Sequence, residues 1–383
     1  MGKKRKFGLL FVLLLIFLAG CTNGAAKSTD DPNGEENPQD IGILTVFAPE
    51  QYRAALQQVF SHINLAQTEY RVSWSSDIAA SDVVITDNLP LQSYGEYRVI
   101  QTQSLQVQGI DALTVRSEQG VIGLPLFLRL DGFWYDELLF NSSGIEAPQS
   151  VDAWNECSLN GQYPIICDET DMSALFWSVV APYYLKSGGS AAELAEGSFQ
   201  QESLLQALKT LQAMGDSGML QLTGQAWQSF TATQAAYWIT GVEDVAACYN
   251  YMSNRSSWKP SLSLPFPAQE QTVCVVRADV LAVRKTSDQR LTERFLEMFY
   301  RQQILADLSA YTRMPLACRM SYAPGSVPEL PQVCYTLLSS PMMEVVQVPC
   351  LWNEDKQQQV YGLLFELMTG SIDAAQAAEG MLQ

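Results

Sequence analysis

The stretch Gly123–Ile145, GLPLFLRLDGFWYDELLFNSSGI, constrains the chain more than any other. An apolar run leads to a charged pair, Arg129 and Asp131. Three aromatics follow at Phe133, Trp134 and Tyr135, and a short helical pattern closes on Gly144. Charge beside aromatic side chains is a common way to grip a polar ligand. The sequence on either side reads as an α/β unit, so this stretch is predicted to join two lobes. The length of 383 residues, 47% of them hydrophobic, exceeds the usual single-domain size and agrees with that division.

The amino end points to a compartment. Lys3, Lys4, Arg5 and Lys6 form a basic head, and the apolar core Phe7–Ala19 is too short to span a bilayer comfortably, which reads as a secretory signal. Leu18-Ala19-Gly20-Cys21 resembles the bacterial lipobox, which implies removal of residues 1–20 and lipidation of Cys21. Several acyl chains, at about 0.8 kcal/mol per buried CH₂, would hold the chain on the outer face of the cytoplasmic membrane. Residues 21–41 then carry a run dense in Asn, Gly, Pro and acid, read as a disordered tether with a reach of roughly 25 Å.

Losing the four basic residues of the signal takes the formal charge from −18 to −22, which disfavours nucleic acid as a partner. Seven of the eight cysteines remain once Cys21 is lipidated. An extracellular setting permits Cys157 to pair with Cys167, or Cys318 with Cys334, and buried reduced thiols are the alternative.

Ile43–Ala48 reads as a strand. Tyr52, Leu56, Val59, Phe60 and Ile63 follow at helical spacing, then come strands at Tyr70–Trp74 and Asp82–Ile85, the second ending on Thr86, Asp87 and Asn88. Residues just past the carboxyl end of a parallel strand face the ligand crevice. Leu204, Leu208, Leu211 and Met214 form another helical stripe, stopped by Gly215.

This order resembles the extracellular solute-binding proteins of ABC sugar importers, the maltose-binding type. The resemblance is carried by Ser81-Asp82-Val83-Val84, by Gly123-Leu124-Pro125 leading to Trp134-Tyr135, by Gly144-Ile145 before Val151-Asp152-Ala153-Trp154, and by Gln234-Ala235-Ala236-Tyr237-Trp238-Ile239-Thr240-Gly241. It implies an α/β, two-lobed periplasmic-binding-protein-like (type II) fold with a ligand cleft between the lobes. Lobe 1 would hold 42–131 plus 275–313 and lobe 2 would hold 132–274 plus 314–383, with crossings near 131–136, 268–276 and 312–318. It further implies capture of a small polar solute, a carbohydrate, for the transmembrane subunits of an ABC permease. Glu243 stands where the family often places a stacking Trp.

Sugar recognition needs aromatic faces and a polar rim. Trp134, Tyr135, Trp177, Trp238 and Tyr251 are the candidate faces; Glu50, Asp87, Asn88, Asp131, Glu243 and Arg313 are the candidate rim. On this reading Trp134→Ala abolishes solute binding and leaves stability almost unchanged. The same carboxylates with aromatics would suit a cationic solute such as a polyamine, and a sensor or adhesion lipoprotein could share the fold. Catalysis is disfavoured. The single histidine, His62, lies on a helix surface, no phosphate-binding Gly-rich loop or metal-ligand motif occurs, and no cofactor is implied. A surface glycoside hydrolase would have to rest on a pair such as Asp131 with Glu243.

Overall fold

The computed structural model describes residues 41–105, 113–144, 146–147, 165–232, 234–252, 260–263, 272–318, 328–341 and 343–383. Cys21, Cys157 and Trp154 lie outside these, as does the Tyr251 side chain.

The first strand, β1 (Gly42–Phe47), buries Leu44 and Val46 alternately, as a strand does when one face meets a core. It leads through a 3₁₀ turn at Glu50–Tyr52 into α1 (Arg53–Ala66), where Leu56, Val59, Phe60 and Ile63 make the buried stripe expected from their spacing. Each such side chain contributes about 1.5–3 kcal/mol relative to exposure. β2 (Tyr70–Ser75) and β3 (Val83–Thr86) both pair with β1 in parallel. β4 (Val115–Ser117) and the ten-residue β5 (Gly120–Arg129) follow. The sheet is completed far downstream by β11, described below, in the order β2-β1-β3-β11-β5-β4.

After β5 the chain changes sheet within one residue. Leu130 is fully buried, and Asp131 already begins β6 (Asp131–Asp136), which runs into the helix α2 (Glu137–Ser143), ended by Gly144 at φ 67°. β7 (Ile165–Asp168), a helical stretch over 172–186, α3 (Gln201–Asp216) and β8 (Leu220–Thr223) lead to β9 (Tyr237–Gly241), α4 (Val242–Met252) and β10 (Pro260–Ser263). α3 runs through Gly215, and the turn that stops it falls at Gly218, φ 72°. The second sheet has the order β10-β6-β9-β7-β8.

β11 (Thr272–Val283) spans the boundary. Its first five residues pair in parallel with β12 (Met343–Gln347), and from Arg277 onward it pairs antiparallel with β5. α5 (Gln289–Phe299) and α6 (Gln302–Thr312) pack with the first sheet, and α6 ends on Arg313, the one non-glycine at positive φ among the described residues. Pro315 and Ala317 still bond along β5, through Leu128 N–H to Pro315 C=O at 2.8 Å and Ala317 N–H to Leu126 C=O at 2.9 Å. α7 (Glu354–Met368) and α8 (Ala374–Met381) pack on the helices of the second sheet.

Gly42–Gln383 thus forms one unit with a core that runs from the first sheet onto one face of the second, another core on the second sheet's opposite face, and a smaller apolar cluster on the other face of the first sheet. The architecture is two-lobed α/β. The sheet change at Leu130 precedes the 131–136 span expected from sequence, and it assigns Asp131 to the second sheet. Cys318 and Cys334 are not bonded to each other; with Cys167, Cys248, Cys274 and Cys350 they are buried free thiols. His62 lies half-exposed on α1, 3.6 Å from Asp307.

Candidate functional site

Two short sequences meet where the chain crosses between the sheets: Arg129-Leu130-Asp131 and Arg277-Ala278-Asp279. The strands are registered so that Arg277 lies opposite Arg129. Like charges abreast would repel, and each arginine reaches instead to the aspartate of the other strand. Arg129 Nη1 donates to Asp279 Oδ1 at 3.1 Å, and Arg277 Nη2 donates to Asp131 Oδ2 at 2.6 Å. Asp279 is fully buried and takes a second hydrogen bond from the Tyr52 hydroxyl at 2.6 Å, while the Arg277 guanidinium also lies 4.6 Å from the centre of the Trp177 ring. Such buried charges persist only when paired and hydrogen-bonded. Burial opposes the charge on Arg129, and the carboxylates of Asp279 and Asp87 outweigh it, so the guanidinium stays cationic.

A second ring of polar groups gathers at Arg129. Asp87, just past the carboxyl end of β3, lies 3.6 Å from Nη1 with its side chain 47% exposed. Glu243, in the first turn of α4, accepts from Nη2. Its position depends on the chain before it: the Val242 N–H bonds the Leu130 carbonyl at 3.0 Å, and a Cβ at Gly241 would lie 2.5 Å from Glu243 Oε2. Asn88 Nδ2 donates to the Trp352 carbonyl. Arg129 Nε, Glu243 Oε2 and Asn88 Oδ1 are buried and have no hydrogen-bond partner among the described residues. Arg277 Nε is likewise unpartnered, so two donors and two acceptors are left at this seam among the described residues.

Beside the seam, the Thr240 hydroxyl sits between Asp244 Oδ2 at 2.7 Å and Asp171 Oδ2 at 3.2 Å. Burial, then Asp244 and Asp131, push the Asp171 carboxyl up to about 7.

Of the residues expected from sequence, the structure brings together Asp87, Asn88, Asp131 and Glu243. Asp131 is taken by Arg277, so it is not free to act as one half of a catalytic pair with Glu243. The aromatic candidates sit elsewhere. Trp134 is fully buried and its Nε1 donates to the Thr240 carbonyl at 3.1 Å; it is core and not a cleft face. Trp177 is buried between Arg277 and Trp352, with Nε1 donating to Tyr361 at 3.3 Å, and Trp238 is buried against Phe230. Side chains three apart on a strand point to opposite faces. This is why Asp131 and Trp134, close in sequence, do not share a site.

Tyr135 is half-buried, packs edge-on against Phe140 and lines a hollow of about 440 Å³ with Glu137 and Asn141. Four residues along β6 set it about 13 Å from Asp131. Glu50 is exposed and paired with Arg53 at 3.1 Å, and Arg313 caps α6.

Sequence reasoning missed Tyr52, Arg277 and Asp279, and it missed Trp74. Tyr52 looked like one more apolar residue of the α1 stripe. Arg277 and Asp279 did carry a signal: they are the only charges in the apolar strand TVCVVRADVLAV, and they repeat the Arg-x-Asp spacing of 129 and 131. Trp74 is partly buried at the carboxyl end of β2, with Nε1 bonded to the Ala48 carbonyl at 3.3 Å and Arg53 stacked 4.5 Å from its ring centre. It is an aromatic on the same carboxyl-end edge of the first sheet as Asp87.

By sequence the chain matches no protein-family model and no curated protein. By structure it is similar to a sugar transporter of Bacillus licheniformis in complex with stachyose, with a TM-score of 0.68, 14% identity, and 89% of this chain and 98% of that one covered. It is similar to a binding protein of Bacillus subtilis in an open conformation, with a TM-score of 0.69, 14% identity, and 89% and 96% covered. It is also similar to the GacH receptor of Streptomyces glaucescens, studied unliganded and with acarbose, with a TM-score of 0.67, 13% identity, and 89% and 96% covered. The charged seam lies where two lobes are joined by crossing strands, and the chain has the two-lobed type II fold of the solute-binding proteins.

Proposed function

We propose that the chain is a lipid-anchored extracellular solute-binding protein that captures a small polar solute, a carbohydrate, and delivers it to an ABC permease. The observation that carries this reading is the seam itself: Arg129, Glu243 and Asn88 present unpaired donors and acceptors, with the half-exposed Asp87 beside them, where strands cross between two lobes. A sugar offers adjacent hydroxyls that both give and accept hydrogen bonds, so one ring can meet Arg129 Nε and Glu243 Oε2 together. A buried polar atom left unpaired costs about 1–3 kcal/mol, and a solute that meets these atoms relieves that cost. Solutes bound by structures of the same fold, stachyose and acarbose among them, support the carbohydrate class. No covalent step is needed; binding and closure change the surface a permease would read.

A cationic solute is the second reading. Asp87, Asp131, Asp279 and Glu243 outnumber Arg129 and Arg277 at the seam. Thermal-shift titration of the protein with stachyose, raffinose, maltotetraose, acarbose and spermidine separates the two. Stabilisation by neutral oligosaccharides supports the first; a response to spermidine alone replaces it with the second. Membrane anchoring through Cys21 is checked by metabolic labelling with a fatty-acid analogue, which Cys21→Ser should abolish.

A further inference from the structure

The first sheet ends on two edge strands, β2 with six residues and β4 with three. Alternate residues of an edge strand turn their N–H and C=O groups away from the sheet, where another strand can take them. On β2 these residues are Tyr70, Val72 and Trp74, and the first two are already occupied by side chains. Asn64, near the end of α1, accepts from the Val72 N–H at 2.8 Å and donates to the Val72 carbonyl at 2.9 Å. Gln67 does the same for Tyr70, accepting from its N–H at 3.0 Å and donating to its carbonyl at 2.6 Å. A side-chain amide carries an acceptor and donors in one planar group, as a peptide unit does, so the two side chains reproduce the ladder bonds of an absent strand. The usual deterrents to edge pairing are missing from β2. YRVSWS holds no proline and no lysine, and its one charge, Arg71, is turned back to the Asn64 carbonyl at 2.9 Å.

We propose that β2 is a self-pairing surface held shut by Asn64 and Gln67, and that its partner when open is β2 of a second copy of this chain. Two identical edges related by a twofold axis pair antiparallel. With the axis at Val72, the outward groups of Val72 meet those of its copy, Tyr70 meets Trp74, and about six hydrogen bonds form. In the single copy the bonds from Asn64 and Gln67 stand in their place. In this register Arg71 lies opposite Ser73 of the other copy, and both side chains are exposed on the face of the sheet. Neither the solute nor the membrane anchor enters this contact.

The test uses no solute, so its failure is separate from failure of the carbohydrate reading. Light scattering coupled to size-exclusion chromatography on residues 42–383, which form one unit with their own cores, should give the mass of one chain for the wild type at every loading concentration. Asn64→Ala/Gln67→Ala should move to twice that mass as concentration rises. Adding Ser73→Arg sets Arg71 of each copy against an arginine of the other and should return the mass to one chain, because like charges directly opposite destabilise a strand pair. Gln57→Ala, which removes an exposed amide elsewhere on α1, should leave the wild-type mass unchanged. If the double variant does not melt cooperatively, Asn64→Leu, which leaves the Gln67 bonds in place, decides in its stead. A wild type that dimerises, folded Asn64 and Gln67 variants that stay single, or a dimer that survives Ser73→Arg would overturn the proposal.

Discussion

The charged seam and the aromatic interior of the second sheet are built from neighbouring residues and behave as opposites. At the seam, Arg129, Asp131, Arg277 and Asp279 pair across strands and leave polar atoms unpaired. A few residues further along, Trp134 and Trp238 lie directly opposite each other on β6 and β9 and are both buried. The first region is poised to exchange partners; the second is filled. Aromatic content is therefore a poor guide to the site in this chain, and unpartnered polar atoms on charged side chains are a better one.

The comparison is most exposed to Trp134→Ala. If the side chain is core, as its burial says, the variant loses about 3–5 kcal/mol in denaturant melts. A variant as stable as wild type would return Trp134 to the list of cleft aromatics. Arg277→Met comes next: it leaves Asp131 buried without a partner and should cost about 3 kcal/mol, much of it recovered in Arg277→Met/Asp131→Leu. Recovery in the double variant would show that the pair positions the crossing strands without being needed for stability; no recovery would make it structural glue.

The third prediction concerns pH. The Asp171 carboxyl is raised from 3.8 to about 7 in the folded protein by burial, Asp244 and Asp131. The folded state therefore binds the extra proton between those values, and stability should fall as pH rises from about 4 to about 7. Asp171→Asn should flatten that part of the stability profile, and an unchanged slope would remove Asp171 as its source. The smallest effect belongs to Glu50→Gln: its pair with Arg53 is exposed, so stability should change by less than about 0.5 kcal/mol.

Much of the fold was readable because periodicity is a local property. The α1 stripe, the strand ending on Asp87 and the helix stopped by Gly144 fell where spacing placed them. The choice of partners was not local. Arg129 meets Asp279 across 150 positions and Glu243 across 114, and nothing in GLPLFLRLDGFWYD says which charge will be matched from elsewhere. Nor could the facing of Trp134 be read from the strand. Phe133 and Trp134 are both fully buried, one in each core, so β6 lacks the apolar–polar alternation that would have told its faces apart. Glu243 was reached only through resemblance, and Tyr52 was hidden by its place in a helical stripe.

The six buried thiols among the described residues give the molecule a chemical clock. Burial pushes the Cys318 and Cys350 thiols up to about 11, and raises Cys274 and Cys334 still more, so the reactive thiolate is scarce while the cores are closed. Cys248, Cys274, Cys318 and Cys334 share the cluster that runs from the first sheet onto one face of the second, and Cys167 and Cys350 lie in the cluster on the other face of the second. Alkylation followed residue by residue would time the opening of each core in the unmodified protein.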